Sequence, residues 1–236
     1  MMSQTTLTGQ ETTPAPRGVR NSATRIVAST LGVYGGLLGL EHGYFETLQG
    51  GVAPNGIMMS AIGPPCQAST AWHGCEPAMT IIPNFFVTGV LAVIVSLIVV
   101  IGAAAFVQRK YGGLALILLS LIQLLVGGGF IPIPVIIIAG VVGTRIHAPL
   151  TWWRAHLSAR SRRFLAALWP WSLIAYFILN LGQFMLGSFF NEFMLHLSVI
   201  LGVVLPLGLV LLTVLTAFAY DIQRQSDSHQ VPAMSG

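Results

Sequence analysis

Two histidine–glutamate pairs stand within long apolar stretches of the sequence. His42 and Glu46 are four residues apart, as are Glu192 and His196. Residues four apart share one face of an α-helix, and the same periodicity turns Glu41 away from the His42 face. Neutral imidazole and carboxylate groups together suit zinc, iron or manganese. The sequence therefore predicts a divalent metal site formed by both pairs; the alternative is that these side chains are interfacial and hold no ligand.

A polar stripe lies in a later apolar stretch. Its members recur at intervals of three or four residues: Tyr176, Asn180, Gln183, Gly187 and Asn191. This spacing places them on one side of a helix that is otherwise apolar. Counted at about 1.5 Å per residue, the stripe and both histidine–glutamate pairs reach a similar depth along their helices. We therefore expect Asn180 and Gln183 to share one outward-facing site with the pairs, which binds a metal ion or a small polar ligand.

The composition indicates that lipid surrounds these helices. Only 8% of the 236 residues are charged and 54% are hydrophobic, whereas soluble domains have roughly 25% charged residues. The basic residues lie in short clusters that flank apolar stretches, which is typical of membrane proteins rather than of nucleic-acid-binding proteins. We predict a multi-pass protein of a prokaryotic plasma membrane whose partner is the lipid bilayer, with no nucleic acid.

The apolar stretches predict an all-α fold, a polytopic bundle of six transmembrane helices. The membrane domain covers residues 25–220, with spans predicted at residues 26–46, 81–107, 112–129, 132–146, 164–189 and 193–220. Residues 49–80 form the predicted outer loop. The polar segments 1–24 and 221–236 are predicted to be disordered cytoplasmic tails.

The number of spans depends on residues 112–142. One helix of this length would reach about 45 Å, which exceeds the ~30 Å hydrocarbon core. Three glycines and two prolines interrupt its middle, between Gly127 and Pro134. A short hairpin or re-entrant pair that turns there keeps Arg109 and Arg145 on one side. All lysines and arginines then lie in the cytoplasm together with both termini, as the positive-inside rule predicts.

Small residues on the first span indicate which of its faces contacts protein. Gly35, Gly39 and Gly43 recur every fourth residue, and Gly32 and Gly36 lie near the same stripe. Such stripes let helix backbones approach closely in lipid. We expect the glycine stripe to face the interior of the bundle.

The two cysteines, Cys66 and Cys75, lie in the predicted outer loop. An extracytoplasmic location favours a disulfide between them, and their spacing is not that of a redox-active CxxC pair. A zinc site of Cys66, His73 and Cys75 is the alternative, with Glu76 as the only obvious fourth ligand.

Three strings resemble those of a family of uncharacterised prokaryotic multi-pass membrane proteins. They are Glu-His-Gly-Tyr-Phe-Glu at residues 41–46, Gly-Pro-Pro-Cys at residues 63–66 and Pro-Leu-Thr-Trp-Trp-Arg at residues 149–154. The resemblance covers residues 25 to about 155. It implies a membrane location and no particular activity.

Two other classes of function fit the same pattern. A transporter or channel needs polar groups through the inner half of the membrane, where the sequence offers little besides Gln123. A structural subunit, in a homo-oligomer or with a membrane-complex partner, needs only the glycine stripe. The sequence has no nucleophile motif, phosphate-binding loop or haem-attachment motif, so an enzyme is possible but unsupported.

Overall fold

The computed structural model describes residues 21–60 and 75–228, which are predominantly helical, so the predicted all-α class is confirmed. The helices are α1 (Ser22–Leu48), α2 (Phe85–Ile101), α3 (Gly112–Leu125), α4 (Pro132–Gly143), α5 (Thr151–His156), α6 (Ala159–Leu168), α7 (Trp171–Phe189), α8 (Asn191–Val199) and α9 (Leu205–Ser228). A first π-helical turn, Gly102–Phe106, extends α2, and a second, Ile200–Val204, joins α8 to α9. Between α1 and α2, strands β1 (Met58–Ser60) and β2 (Pro77–Met79) pair in antiparallel register.

Among residues 21–60 and 75–228, four helical segments are long and apolar enough to cross a membrane: Ser22–Leu48, Phe85–Phe106, Trp171–Phe189 and Asn191–Asp227. Large apolar side chains on these segments are exposed, which is expected of a surface that contacts lipid. Met185, for example, is 68% exposed and Val199 is 67% exposed. The chain therefore has the fold of an α-helical membrane protein.

The helices α3 and α4 are apolar but short. They contain 14 and 12 residues, or about 21 and 18 Å at 1.5 Å per residue. Each is shorter than the ~30 Å hydrocarbon core of a bilayer. They pack against one another and form the short hairpin expected from the glycines and prolines between them.

The central helix of the bundle is α1, which contacts α2, α4 and α9. Its predicted stripe is buried at every position: Gly32, Gly35, Gly36, Gly39 and Gly43. A methyl group at Gly43 would lie 2.8 Å from the backbone nitrogen of Val93 in α2. The prediction that the glycine stripe faces protein is therefore confirmed.

The loop between α3 and α4 lies against β2. The Gly127 N–H donates to the Met79 carbonyl at 2.9 Å, and the Phe130 N–H donates to the Pro77 carbonyl at 3.1 Å. Gly127 and Gly129 have φ angles of +93° and +78°, a conformation that favours glycine. We call this side of the bundle, with β1, β2 and the α3–α4 loop, the loop end.

The opposite side carries the basic residues, and we call it the basic end. Asn21, just before α1, donates from Nδ2 to the Arg145 carbonyl beyond α4 at 2.7 Å. His147 Nε2 lies 2.8 Å from the Gln108 carbonyl beyond α2. The start of α1 and the ends of α2 and α4 therefore meet here, which brings Arg109 and Arg145 to the same end.

The predicted span of residues 164–189 is wrong at its start. The structure divides this region into α6, which ends at Leu168, and α7, which begins at Trp171. Pro170 lacks a backbone N–H and disfavours helix in the residue before it, so the helix stops at this point. None of the residues of α6 is buried, and its arginines lie at the basic end.

The predicted start of the second tail at residue 221 is also wrong. α9 continues to Ser228, because Asp221 and Ile222 are buried against the rest of the bundle. Gln225 donates from Nε2 to Asn21 Oδ1 at 2.7 Å, which fixes this last part of α9 beside the start of α1. Residues 1–20 and 229–236 lie outside the described residues.

Candidate functional site

A cavity lined by both apolar and polar side chains lies between α1, the start of α4, α7 and the second π-helical turn. Its volume is about 60 Å³, and Gly202 lines it from the π-helical turn. Its aromatic lining includes Phe45 and Phe184. The polar lining residues are Tyr34, Glu41, His42, Glu76, Asn180 and Gln183. We call this site the polar cavity; it contains three of the residues expected in the site, His42, Asn180 and Gln183.

Glu76 fixes the orientation of His42. His42 Nε2 lies 3.2 Å from Glu76 Oε2, and because a carboxylate only accepts hydrogen bonds, the imidazole N–H donates. His42 is 5% exposed. β2 begins at the residue after Glu76, so the strand pairing and the hydrogen bonds to the α3–α4 loop hold Glu76 over α1. Among the described residues this is the one close pair of a basic and an acidic side chain.

A face of α1 that sequence reasoning missed forms one wall of the polar cavity. Tyr34, Leu38, Glu41 and Phe45 line it at spacings of four, three and four residues, which is the spacing of one helix face. The prediction that Glu41 points away from the site is therefore wrong. His42 lies at the border between this face and the glycine stripe, which explains why it reaches the cavity while it is almost fully buried.

The polar stripe of α7 forms the opposite wall. Asn180 and Gln183 line the polar cavity, and Asn180 donates from Nδ2 to the Tyr176 carbonyl at 2.7 Å. Tyr176 is 1% exposed, and its ring packs edge-on against Tyr34 of α1 with the centroids 5.8 Å apart. The stripe thus faces protein. Its remaining members, Gly187 and Asn191, do not line the polar cavity.

Glu46 occupies a different position from the one expected. It is 0% exposed, it does not line the polar cavity, and neither of its carboxyl oxygens has a hydrogen-bond partner among the described residues. Gly127 of the α3–α4 loop packs directly on this carboxyl group, and a methyl group there would overlap it. Gly129 of the same loop covers the His42 ring, so a methyl group there would lie 2.5 Å from His42 Nε2.

A second group of buried polar atoms lies deeper between α1, α2 and α3. Gln123 and Ser96 are 0% exposed. Neither the Gln123 amide nor the Ser96 hydroxyl has a hydrogen-bond partner in the described part of the chain. Both lie against Gly39, where a methyl group would overlap the Gln123 amide and come within 2.8 Å of Ser96 Oγ. The sequence singles out Gln123 by its depth but gives no signal for Ser96.

The predicted metal site does not assemble. Glu192 and His196 of α8 are exposed, and neither lines the polar cavity that contains His42. The His196 ring donates from Nδ1 to the carbonyl oxygen of Glu192 at 2.7 Å, within its own helix. Within residues 21–60 and 75–228, no three His, Cys, Asp or Glu side chains are grouped so that they could hold a metal ion. The four residues expected as one ligand set, His42, Glu46, Glu192 and His196, are therefore not brought together in this structure.

The cysteine predictions fall partly outside the described residues. Cys66 and His73 lie there, so the disulfide of Cys66 with Cys75 stays a prediction, and so does the alternative zinc site. Glu76, the fourth ligand of that alternative site, accepts a hydrogen bond from His42 instead.

No protein-family model, no curated protein and no solved structure matches this chain. The resemblance to prokaryotic multi-pass membrane proteins therefore stays a prediction.

Proposed function

We propose that this chain is a six-span protein of a prokaryotic plasma membrane that binds a small cationic ligand in the polar cavity, from the outer side. The observation that carries the proposal is the charge of the lining. Glu41 and Glu76 contribute two carboxyl groups, while none of the lining residues in the described part of the chain is Lys or Arg. A positively charged ligand is attracted to such a site, and the low dielectric of the surroundings strengthens the attraction.

The proposed topology places the basic end in the cytoplasm. Six segments then cross in alternating directions between the two ends. They are α1, α2, α3, α4, α7 and the α8–α9 segment. Asp221 of α9 bonds to Thr24 of α1, which supports an even number of crossings between them. Residues 49–80 contain no Lys or Arg, in agreement with the positive-inside rule. The loop end and the polar cavity then face outward.

The size of the polar cavity limits the ligand. A water molecule needs roughly 10–15 Å³ of such volume, so about 60 Å³ holds a few waters or one small organic cation. The rings of Tyr34, Phe45 and Phe184 line the same space. Aromatic faces attract cations, most strongly those with weak hydration. A primary or quaternary ammonium ion of a few heavy atoms fits these properties.

The second π-helical turn gives independent support for a binding role. Gly202, in its middle, lines the polar cavity. π-Helical turns within α-helices occur frequently at functional sites. If the segment from Asn191 onward served only to pack against other helices, we would expect a regular α-helix without this turn.

Calorimetric titration of the purified full-length protein with methylammonium, and with methanol as a neutral molecule of similar size, tests the proposal. We expect heat of binding for methylammonium only, and an affinity at least about tenfold weaker in Glu41→Gln and Glu76→Gln, which is ~1.4 kcal/mol. Glu192→Gln, an exposed change outside the cavity, is the matched control and should bind as the wild type does. Equal binding of methanol, or unchanged affinity in both cavity variants, would contradict the proposal.

A second candidate function is transport, because polar groups continue from the polar cavity toward the basic end. Ser172 of α7 lies 2.7 Å from Thr216 of α9, oxygen to oxygen, and both are buried. Thr213 Oγ1, one turn along α9, is buried without a hydrogen-bond partner among the described residues. Uptake of labelled methylammonium into proteoliposomes tests transport. Uptake that Thr213→Val abolishes would favour it, whereas binding without uptake would favour a binding protein.

A further inference from the structure

A second cavity lies at the basic end, between the first turns of α1 and the end of α2. Its volume is about 300 Å³. The lining residues are Arg25, Ile26, Ser29, Thr30, Ala104 and Gln108. We call it the basic-end cavity; it is separate from the polar cavity and shares no lining residue with it.

The polar lining of the basic-end cavity combines one positive charge, Arg25, with three neutral side chains that can donate hydrogen bonds, Ser29, Thr30 and Gln108. Within the described ranges, neither the Arg25 guanidinium nor the Ser29 hydroxyl has a side-chain partner, and no carboxyl group lines the cavity. Thr30 and Gln108 donate instead to the carbonyl oxygens of Ile26 and Ala105, at 2.8 Å in both cases. Arginine and a hydroxyl that can donate match the oxygens of a phosphate group.

The surroundings of the basic-end cavity are apolar and exposed. Ile26, which lines the cavity, is 42% exposed, and Ile101, about one helical turn before Ala104, is 57% exposed. The first π-helical turn, which contributes Ala104, lies at the same place. These exposed apolar side chains do not contribute to binding a soluble anion. A lipid, in contrast, can place its phosphate in the cavity and its acyl chains along α2.

We propose that the basic-end cavity binds the phosphate group of an anionic phospholipid of the inner leaflet. Basic pockets between transmembrane helices on the cytoplasmic side bind headgroups in this way. The bound lipid contacts α1 and α2 at once, so it stabilises the packing of these two helices. The proposal does not depend on which ligand the polar cavity takes.

Native mass spectrometry and thermal unfolding of the full-length protein in detergent test this site. We expect retained phosphatidylglycerol and a melting temperature that rises when this lipid is added, with a much smaller rise for phosphatidylcholine. Arg25→Gln and Ser29→Ala should each reduce the affinity for phosphatidylglycerol, and Arg25→Gln by at least about tenfold. Arg160→Gln removes the same charge from an exposed position at the basic end and should leave the affinity unchanged.

Three results would overturn the proposal. Equal effects of phosphatidylglycerol and phosphatidylcholine would show that the anionic headgroup is not recognised. Equal losses in Arg25→Gln and Arg160→Gln would show diffuse attraction to the basic end rather than a site. Stabilisation by inorganic phosphate as large as that by the lipid would assign the cavity to a free anion.

Discussion

Asp221, near the end of α9, holds the first turn of α1 through Thr24. Its Oδ2 atom accepts hydrogen bonds from the Thr24 N–H at 2.8 Å and from the Thr24 hydroxyl at 2.7 Å. Its Oδ1 atom accepts from the Ala23 N–H at 3.0 Å. The first N–H groups of a helix have no partner within the helix, and a carboxylate at that end also interacts favourably with the helix dipole. Asp221 thus caps α1 from the opposite end of the sequence.

The cap predicts that Asp221→Asn destabilises the protein. One side-chain oxygen becomes an NH₂ group, which cannot accept from Thr24, and the negative charge is lost. Losing buried hydrogen bonds to a charged group costs about 2 kcal/mol. We expect a clearly lower melting temperature in detergent. Asp227→Asn is the control, because Asp227 is exposed and, among the described residues, accepts a hydrogen bond only from Gln223 of its own helix. Equal melting temperatures for both variants would argue against the cap.

The proposed six-span topology predicts the side on which introduced cysteines react. In a variant with Cys66→Ser and Cys75→Ser, Lys110→Cys and Thr144→Cys should react with an impermeant maleimide only from the cytoplasmic side. Asn55→Cys should react only from outside, because it lies at the loop end. All three positions are exposed. Labelling of Lys110→Cys and Thr144→Cys from opposite sides would show that residues 112–142 cross the membrane once.

The fold could be predicted from the sequence to the extent that apolar length and chain breakers determine it. The α3–α4 hairpin followed from the glycines and prolines between Gly127 and Pro134. The end of α9 could not be predicted, since 221–228 is polar and its helix depends on contacts to α1. The break before Trp171 was predictable in principle from Pro170, but the apolar residues on both sides of that proline concealed it.

The candidate site was predictable only in part, for a physical reason. Spacing along one helix identifies a face, so His42, Asn180 and Gln183 were found. It does not reveal how two helices are rotated toward one another. Glu192 and His196 satisfied the same spacing as His42 and Glu46, yet their face is exposed. Glu76 reaches His42 through the β1–β2 pairing, and no local pattern in the sequence encodes that contact.

The contact between Gly39 and Gln123 predicts a coupled pair of substitutions. In Gly39→Ala, the new methyl group overlaps the Gln123 amide, and overpacking of this kind costs about 1–3 kcal/mol. Gln123→Ala removes the overlap, so the double variant should lose less stability than the sum of the single variants. Thermal unfolding of all four proteins measures the coupling.

Gly182→Ala is the matched control for that cycle. Gly182 lies on the exposed side of α7, and a methyl group there meets nothing within 4 Å. Alanine favours helix over glycine, so we expect an unchanged or slightly higher melting temperature. Strictly additive effects of Gly39→Ala and Gln123→Ala would mean that the two residues do not touch.

The separation of the two histidines predicts that only one of them matters for binding. His42 lines the polar cavity with Glu76, whereas His196 bonds to its own helix and is exposed. We expect His42→Ala to weaken methylammonium binding and His196→Ala to leave it unchanged, by calorimetry. Metal content of the purified proteins, measured by elemental analysis, should be the same in the wild type and both variants. Loss of metal in both variants would instead support the shared site of His42, Glu46, Glu192 and His196. Two histidines so far apart in the sequence can both be needed for one ion only if both bind it.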